Sequence, residues 1–215
     1  MKVIVIAKKK KSLKNVHRIL RKIFNRYDLI LGEVGDRLPV KKMMGKYDLL
    51  ISYLSPWIIP KKILKRNKLN INFHPGPPNY PGIGCTNFAI LNKEKFYGCT
   101  AHVMDEKVDT GKILGVRKFR INQNITVDQL LNRTYKEMEK LLFFTVKRVI
   151  ENKNFSNSLK WERKPYKRKD FHKIFEIKKN FSVAKIKKII QATNYSDYPG
   201  SYIKLANYKF QLVKD

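Results

Sequence analysis

Two polar side chains, Asn72 and His74, stand two residues apart at the end of an apolar stretch, just before a loop rich in proline and glycine. On a β-strand, residues two apart project from the same face, so this amide and this imidazole would point in one direction. An amide N–H donates hydrogen bonds, and histidine gives or takes a proton near neutral pH. Because ligands bind at the carboxyl ends of strands in open α/β sheets, the pair predicts a site that polarises a carbonyl group.

A carboxylate later in the chain is the candidate partner for this pair. Asp109 lies in an acidic loop between two strand-like runs, shortly before Gly111. If the loop brings it near His74, the carboxylate would orient the imidazole ring. The alternative interpretations are a capped strand end for Asn72 and His74, and an ordinary turn carboxylate for Asp109.

The other histidines and the cysteines give weaker signals. His102 lies within a strand-like run, where we expect a structural role or a place at the rim of a site, and His172 is expected to be solvated. Cys85 and Cys99 have no His or Cys neighbour at the spacing of metal ligands, which favours buried thiols. We therefore predict no metal site.

The elements that must position these residues alternate between short apolar runs and helical patterns. Residues 3–7 form a mostly β-branched run, as expected for a strand covered on both faces, and residues 12–26 follow with helical spacing. Further strands are expected at 27–33, 48–53 and 70–73. This order predicts an α/β, Rossmann-like fold with a mostly parallel twisted sheet and helices on both faces.

The second half of the chain predicts one long helix and a small appendage. Thr126 and Gln129 have the spacing of a capping box, and the helix that they open presents one apolar face. Residues 152–169 are polar, basic and expected to be irregular, so we place a boundary there. The predicted division is a domain at 1–155 that carries the site, and a small C-terminal extension at 156–215 made of a helix and a β-hairpin.

Charge is the most unusual property of the chain. Its 215 residues contain 47 Lys and Arg against 17 Asp and Glu, a formal net charge of +30. Such an excess is typical of proteins that bind nucleic acids. The basic residues are spread along the chain rather than gathered into one arm, which favours a general bias in composition, with some attraction for an anionic substrate. We therefore expect no nucleic-acid partner.

Composition and missing motifs argue against several common classes of protein. No apolar run approaches the roughly 18 residues that span a membrane. The first run is too short for a signal peptide, so we expect a cytoplasmic protein without a membrane partner. The loop at 8–12 lacks the glycine pattern of a dinucleotide site, and no phosphate-binding P-loop motif occurs.

Two motifs in this order resemble the folate-dependent formyltransferases. Asn-x-His-Pro stands at residues 72–75, and Thr-x-x-x-Met-Asp-x-x-x-Asp-x-Gly-x-Ile spans residues 100–113. The family includes methionyl-tRNA, glycinamide ribonucleotide and nucleotide-sugar formyltransferases. The resemblance covers roughly residues 45–150, and it implies an enzyme that uses 10-formyltetrahydrofolate as its formyl donor.

The resemblance implies that Asn72, His74 and Asp109 are the catalytic residues. An amine would attack the formyl carbon to give a tetrahedral oxyanion, which Asn72, and His74 if protonated, would stabilise with preorganised hydrogen bonds. Either His74 or a water positioned by Asp109 would take the proton of the amine. The donor-binding residues implied are Ser52, Tyr53 and Leu54, through backbone groups at the pterin edge, and Met104, Asp105 and Val108 on the opposite loop.

The resemblance also bears on the acceptor. The loop with Pro77, Tyr80 and Gly82, and the tail at 197–202, look like those of nucleotide-sugar N-formyltransferases, which modify amino sugars destined for surface polysaccharide such as O-antigen. It implies that the three loop residues bind a nucleotide-linked amino sugar, whose pyrophosphate a basic cleft would attract. Similar methionyl-tRNA enzymes carry a C-terminal β-barrel, for which the last 60 or so residues are too few.

Other functions stay open at this stage. A formyltransferase for methionyl-tRNA or glycinamide ribonucleotide is one alternative, although the latter usually begins with a Gly-rich loop that residues 8–11 do not match. A non-catalytic RNA-binding protein on the same scaffold would use the basic charge. A hydrolase of formyl-folate would share the fold and the three residues. The sequence leaves a homodimer open as well.

Overall fold

The central sheet of the protein contains six strands, and the first four run parallel. The computed structural model describes residues 1–9, 13–155, 158–196 and 199–213. The elements in chain order are β1 (Val3–Lys8), α1 (Leu13–Ile23), β2 (Asp28–Gly32), α2 (Val40–Met43), β3 (Leu49–Tyr53), α3 (Lys61–Leu64), β4 (Leu69–His74), α4 (Cys85–Leu91), β5 (Phe96–Val103), β6 (Ile113–Arg120), α5 (Val127–Ile150), α6 (Arg168–Lys173), β7 (Glu176–Ile177), α7 (Val183–Thr193), β8 (Tyr202–Leu205) and β9 (Tyr208–Gln211). None of the helices in these ranges has the length and apolarity needed to cross a membrane.

The sheet has the strand order β2-β1-β3-β4-β5-β6. β1 pairs in parallel with β2 and β3, and β3 with β4, whereas β5 runs antiparallel to both β4 and β6. The predicted α/β fold class with a mostly parallel sheet is confirmed. The reversal after β4 matters for function, because a strand that returns antiparallel places its own residues beside the carboxyl end of β4.

Helices cover both faces of the sheet, because alternate residues of a strand point to opposite sides. On one face, Val5 and Ile51 pack in a cluster with residues of α1 and α5. On the other, Ile4 and Leu50 pack with residues of α2 and α3. These four side chains are at most 1% exposed, as expected for central strands buried on both faces. β4 also contributes residues to the first of these clusters, so the same packing holds the end of that strand.

A further cluster joins the four helices α4 to α7. Its buried members include Phe88 from α4, Leu130 from α5, Phe171 from α6 and Ala192 from α7. A small second sheet has the order β7-β8-β9. The boundary that we place near residue 155 falls between α5 and α6, and the chain on either side of it contributes to this one cluster.

Most of the predicted elements are present with shifted ends. The capping box is confirmed, since the Thr126 hydroxyl accepts from the Gln129 N–H and the Gln129 side chain accepts from the Thr126 N–H. The predicted helix at 12–26 is α1, and Ser12 itself lies outside the described residues. The prediction of an irregular 152–169 is wrong at its end, where α6 begins. Helix α4 and strand β7 have no counterpart among the predicted elements.

Candidate active site

The carboxyl end of β4 carries both polar residues singled out by the sequence. β4 ends at His74, and its register with β5 places Asn72 opposite His102 and His74 opposite Thr100. Asn72 Nδ2 lies 3.1 Å from His102 Nε2. Asn72 and His74 both line the same cleft, as expected for residues two apart on a strand, and His102 joins them from the neighbouring strand.

Asp109 lies between two histidine rings. Its Oδ2 is 3.1 Å from Nδ1 of His74, and its Oδ1 is 3.1 Å from Nε2 of His102. Oδ2 also accepts a hydrogen bond of 2.8 Å from the backbone N–H of Gly82. His74, His102 and Asp109 are each at most 5% exposed, so the carboxylate and the two rings form one buried network.

A tight turn holds Asp109 in this place. The residue has a left-handed backbone conformation, with φ of +48°, which residues other than glycine seldom adopt. In the same turn, a Cβ added to Gly111 would lie 2.0 Å from the Val103 carbonyl oxygen, so only glycine fits. Strained backbone persists at functional sites where its surroundings fix it. The turn between β5 and β6 therefore directs the carboxylate toward the histidines.

The electrostatics of the network centre on the carboxylate. Burial by itself would raise the pKa of Asp109, but the neighbouring His74, the hydrogen bond and charge of His102 and the N–H of Gly82 lower it to about 2. Asp109 is therefore ionised throughout the neutral range. It holds the two rings through charge-assisted contacts, which are stronger than those between neutral groups.

The other nitrogen of each ring faces a backbone carbonyl. His74 Nε2 lies 2.8 Å from the Tyr80 oxygen, and His102 Nδ1 lies 2.8 Å from the Val103 oxygen. Each imidazole thus has one nitrogen beside the Asp109 carboxylate and the other beside a backbone carbonyl.

The network lies on the wall of a cleft of about 980 Å³, a size typical of small-molecule sites. Asn72, His74, His102 and Asp109 line it. The other predicted ligand-binding residues that line the cleft are Ser52, Leu54, Gly82, Met104, Asp105 and Val108.

Three predicted ligand-binding residues have side chains elsewhere. Tyr53 is 1% exposed, and its ring packs against Phe73 in the core. Tyr80 is buried, and its hydroxyl donates a 2.6 Å hydrogen bond to Glu94. Pro77 is buried, and its carbonyl accepts from the Tyr80 N–H. These side chains shape the core and the loop, and contact with a ligand through their backbone groups stays a prediction.

His102 is the residue that sequence reasoning undervalued. Of the two roles expected for it, the place at the rim is wrong, because the residue is 2% exposed and lies between Asn72 and Asp109; a structural role stays untested. The signal that identifies it is the antiparallel pairing of β4 and β5, which is not visible in local sequence. His172 is exposed as expected, although it lies within α6.

The two thiols are buried and free, as the sequence predicts. Burial raises the pKa of Cys99 to about 12 and also raises that of Cys85, so neither is a nucleophile at neutral pH. Within the described ranges, no group of three or more His, Cys, Asp or Glu is placed to hold a metal ion.

Comparison with known proteins relates this chain to one protein family. Residues 41–146 match the protein family described as formyl transferase. Among curated proteins, the methionyl-tRNA formyltransferase of Clostridium tetani is 32% identical over 155 residues, which cover 69% of this chain and 50% of that protein. The chain thus spans about half the length of this curated relative.

Solved structures share the fold over nearly the whole chain. A 4-N formyltransferase from Francisella tularensis superposes with a TM-score of 0.83 at 21% identity, covering 100% of this chain and 97% of that one. An N-formyltransferase from Helicobacter canadensis, solved with folinic acid and dTDP-3-aminofucose, has a TM-score of 0.77 at 22% identity, covering 96% and 85%. The family match includes β4, which carries Asn72 and His74, and the turn that carries Asp109. The chain belongs to the folate-dependent formyltransferase family.

Proposed function

We propose that this protein is an N-formyltransferase that moves a formyl group from 10-formyltetrahydrofolate to the amine of a nucleotide-linked amino sugar. The observation that carries the formyl-transfer part of the proposal is the buried network of His74, Asp109 and His102 beside Asn72 on the wall of one cleft. An amide donor, an ionised carboxylate and imidazoles are groups suited to stabilising an oxyanion and moving a proton.

The reaction replaces one C–N bond with another. The amine nitrogen attacks the formyl carbon, the bond from that carbon to N10 of the folate breaks, the amine gives up one proton and N10 takes one. Negative charge develops on the formyl oxygen, and Asn72 donates its Nδ2–H to that oxygen. His74, or a water held by Asp109, accepts the proton of the amine.

The donor would lie along the end of β3. Ser52 and Leu54 line the cleft there, and Leu54 has a left-handed backbone conformation, with φ of +52°, that turns the chain. Met104 and Val108 line the cleft from the loop after β5. This arrangement supports a pterin held between two chain segments. The folinic acid in the Helicobacter canadensis structure supports a folate donor.

The acceptor would lie at the end of the cleft formed by α4 and α6. Thr86 and Asn87 from α4, and Arg168 and Phe171 from α6, line the cleft. Arg168 is exposed, and an arginine fork suits recognition of phosphate. A nucleotide-linked sugar at this end is supported by the Helicobacter canadensis structure, which contains dTDP-3-aminofucose and covers 96% of this chain. Asp197 and Tyr198, which belong to the tail noted in the sequence, lie outside the described residues.

Methionyl-tRNA is the second candidate acceptor. The identity of 32% to the Clostridium tetani enzyme favours it, and so does the net charge of +30. Both acceptors present an amine to the same chemistry, so the network does not choose between them.

A mass measurement separates these functions. The protein is incubated with 10-formyltetrahydrofolate and, in parallel, with a panel of nucleotide-linked amino sugars, with methionyl-tRNA, or with no acceptor. The added mass of a formyl group on a sugar is the expected result. Formylated methionyl-tRNA alone would move the assignment to that substrate, and formate released without acceptor would indicate a hydrolase. RNA retention with no transfer and no folate binding would overturn the proposed enzymatic function.

A further inference from the structure

Trp161 lies on the segment that joins α5 to α6, named here the connecting segment (residues 158–167). Its indole ring is 5.9 Å from the His74 ring and 5.1 Å from the His102 ring, centroid to centroid, and is steeply inclined to both. The indole Nε1–H donates a 2.8 Å hydrogen bond to the carbonyl of Gly111, on the turn that carries Asp109. One side chain therefore contacts both histidines and the turn that places the carboxylate between them.

Main-chain hydrogen bonds tie the connecting segment to the loop that follows His74. The N–H groups of Glu162 and Tyr166 donate to the carbonyls of Pro78 and Pro81, and the Tyr166 carbonyl accepts from the Ile83 N–H. Three such bonds fix the register of the segment against the loop. The fold itself therefore places Trp161 against the two rings.

The close approach of the connecting segment depends on Gly82. This glycine has φ of +90°, and a Cβ added to it would lie 2.3 Å from the Tyr166 carbonyl oxygen. The Tyr166 ring stacks on Phe88 of α4, with centroids 3.8 Å apart. Gly82 also donates its N–H to Asp109. Gly82 therefore both contacts the connecting segment and binds the Asp109 carboxylate.

We propose that Trp161 is a positioning residue, which holds the His74 and His102 rings in their working orientation against Asp109. Hydrogen bonds at the two nitrogens of an imidazole set its direction, but the ring can still rock about the line that joins them. Packing against an inclined indole restricts that motion, and inclined aromatic pairs are favourable contacts. Reacting groups lose rate steeply when displaced by about 1 Å. The inference rests on the proposed formyltransferase function, in which these rings act.

Substitutions at Trp161 test the proposal through kcat and KM. Trp161→Leu removes the ring, and we expect kcat to fall roughly 10- to 100-fold while the KM for 10-formyltetrahydrofolate stays within about three-fold. Trp161→Phe keeps a ring but loses the hydrogen bond to Gly111, so its loss should be smaller. Phe155→Leu is the matched control. Phe155 is a half-buried aromatic residue that lies between α5 and the connecting segment, and its ring packs with Arg148. That control should keep the parent kcat.

A second measurement does not need the reaction. The ring nitrogen chemical shifts of His74 and His102, measured by NMR, should change in Trp161→Leu, change less in Trp161→Phe and stay unchanged in Phe155→Leu. Unchanged shifts in a folded Trp161→Leu protein would overturn the proposal, whatever happens to kcat. If that variant does not fold, the Trp161→Phe shifts decide in the same way. If the parent protein formylates no acceptor, the proposed function fails, whereas the shifts still report whether Trp161 positions the rings.

Discussion

Oδ1 of Asp109 lies 3.1 Å from Nε2 of His102, the same distance that separates Oδ2 from Nδ1 of His74. The carboxylate thus has two imidazole partners, one from each of two antiparallel strands. The motif that suggested Asp109 pointed only to His74. A network of three groups, rather than a single pair, is the unit whose disruption should be measured.

We expect His102→Ala and Asp109→Asn each to lower kcat by about 10²-fold, because each removes a member of the proton-handling network. The double variant should be little worse than the poorer single variant, since residues that act as a unit give non-additive losses. Steady-state kinetics on the four proteins of the cycle checks this. Losses that multiply in the double variant would show that His102 and Asp109 act separately.

The stability of the protein should depend on the ionisation of Asp109 at acid pH. Its folded pKa of about 2 lies below the value near 3.9 of an unfolded aspartate. A carboxyl with a depressed folded pKa stabilises the fold above pH 4 and loses that contribution as the pH falls toward 2, here about 2 kcal/mol.

Urea unfolding at pH 5 and at pH 2.5 measures this contribution. Asp109→Asn should remove the part of the pH dependence that belongs to this group, so the gap between parent and variant narrows at pH 2.5. Asp105→Asn is the control, because Asp105 is an exposed carboxylate on the same loop. Parallel behaviour of the two variants would contradict the depressed pKa.

Asn72→Ala and His74→Ala should each lower turnover by about 10²- to 10³-fold, as the loss of an oxyanion donor typically does. Both residues stand at the end of β4 and face the cleft, so we expect the fold to survive. Turnover and thermal unfolding are measured on the same preparations. Near-normal turnover in a folded Asn72→Ala protein would remove the proposed oxyanion donor.

Local patterns predicted the parts of the site that depend on neighbouring residues. The apolar run before Asn72 indicated a strand, and the proline and glycine that follow His74 indicated its end. The alternation of strands and helices predicted the parallel part of the sheet, and the capping box predicted the start of α5. Each of these features is encoded within a few residues, so a single sequence reveals it.

Features that depend on contacts between distant parts of the chain could not be predicted from the sequence. The antiparallel register that places His102 opposite Asn72 joins two strands across the loop and helix between them. Helix α4 has six buried residues among its seven, from Cys85 to Ile90, so it shows no apolar face that would reveal a helix. Trp161 reaches the site only because the connecting segment folds back over it, and nothing near it in sequence predicts that path.

Gly82→Ala should be more damaging than Gly35→Ala. Both glycines have positive φ, so alanine costs about 1–2 kcal/mol of strain at either position. A Cβ at Gly35 meets nothing within 4 Å, whereas one at Gly82 meets the Tyr166 backbone at 2.3 Å. The change at Gly82 should therefore also lower kcat, because it displaces the connecting segment and the N–H that binds Asp109. Equal Tm losses and an unchanged kcat would contradict this.

Binding of a nucleotide-linked amino sugar should weaken with salt more steeply than binding of the folate. The net charge of +30 and the exposed Arg168, which lines the cleft, would attract a compact pyrophosphate. Exposed charges are screened over about 10 Å at 0.1 M salt, so this attraction falls as ionic strength rises. A folate depends more on backbone hydrogen bonds and apolar contacts, although its glutamate tail is also anionic.

Dissociation constants for both ligands between about 50 and 500 mM salt measure the two slopes. Arg168→Gln should flatten the slope for the sugar nucleotide and leave that for the folate almost unchanged. Arg148→Gln is the matched control, because Arg148 lies on α5, packs with Phe155 and is not among the residues that line the cleft. If the Arg168 and Arg148 variants behave alike, the attraction belongs to the charge of the whole chain. Equal slopes for the two ligands in the parent protein would show that the positive surface is not focused on the acceptor end of the cleft.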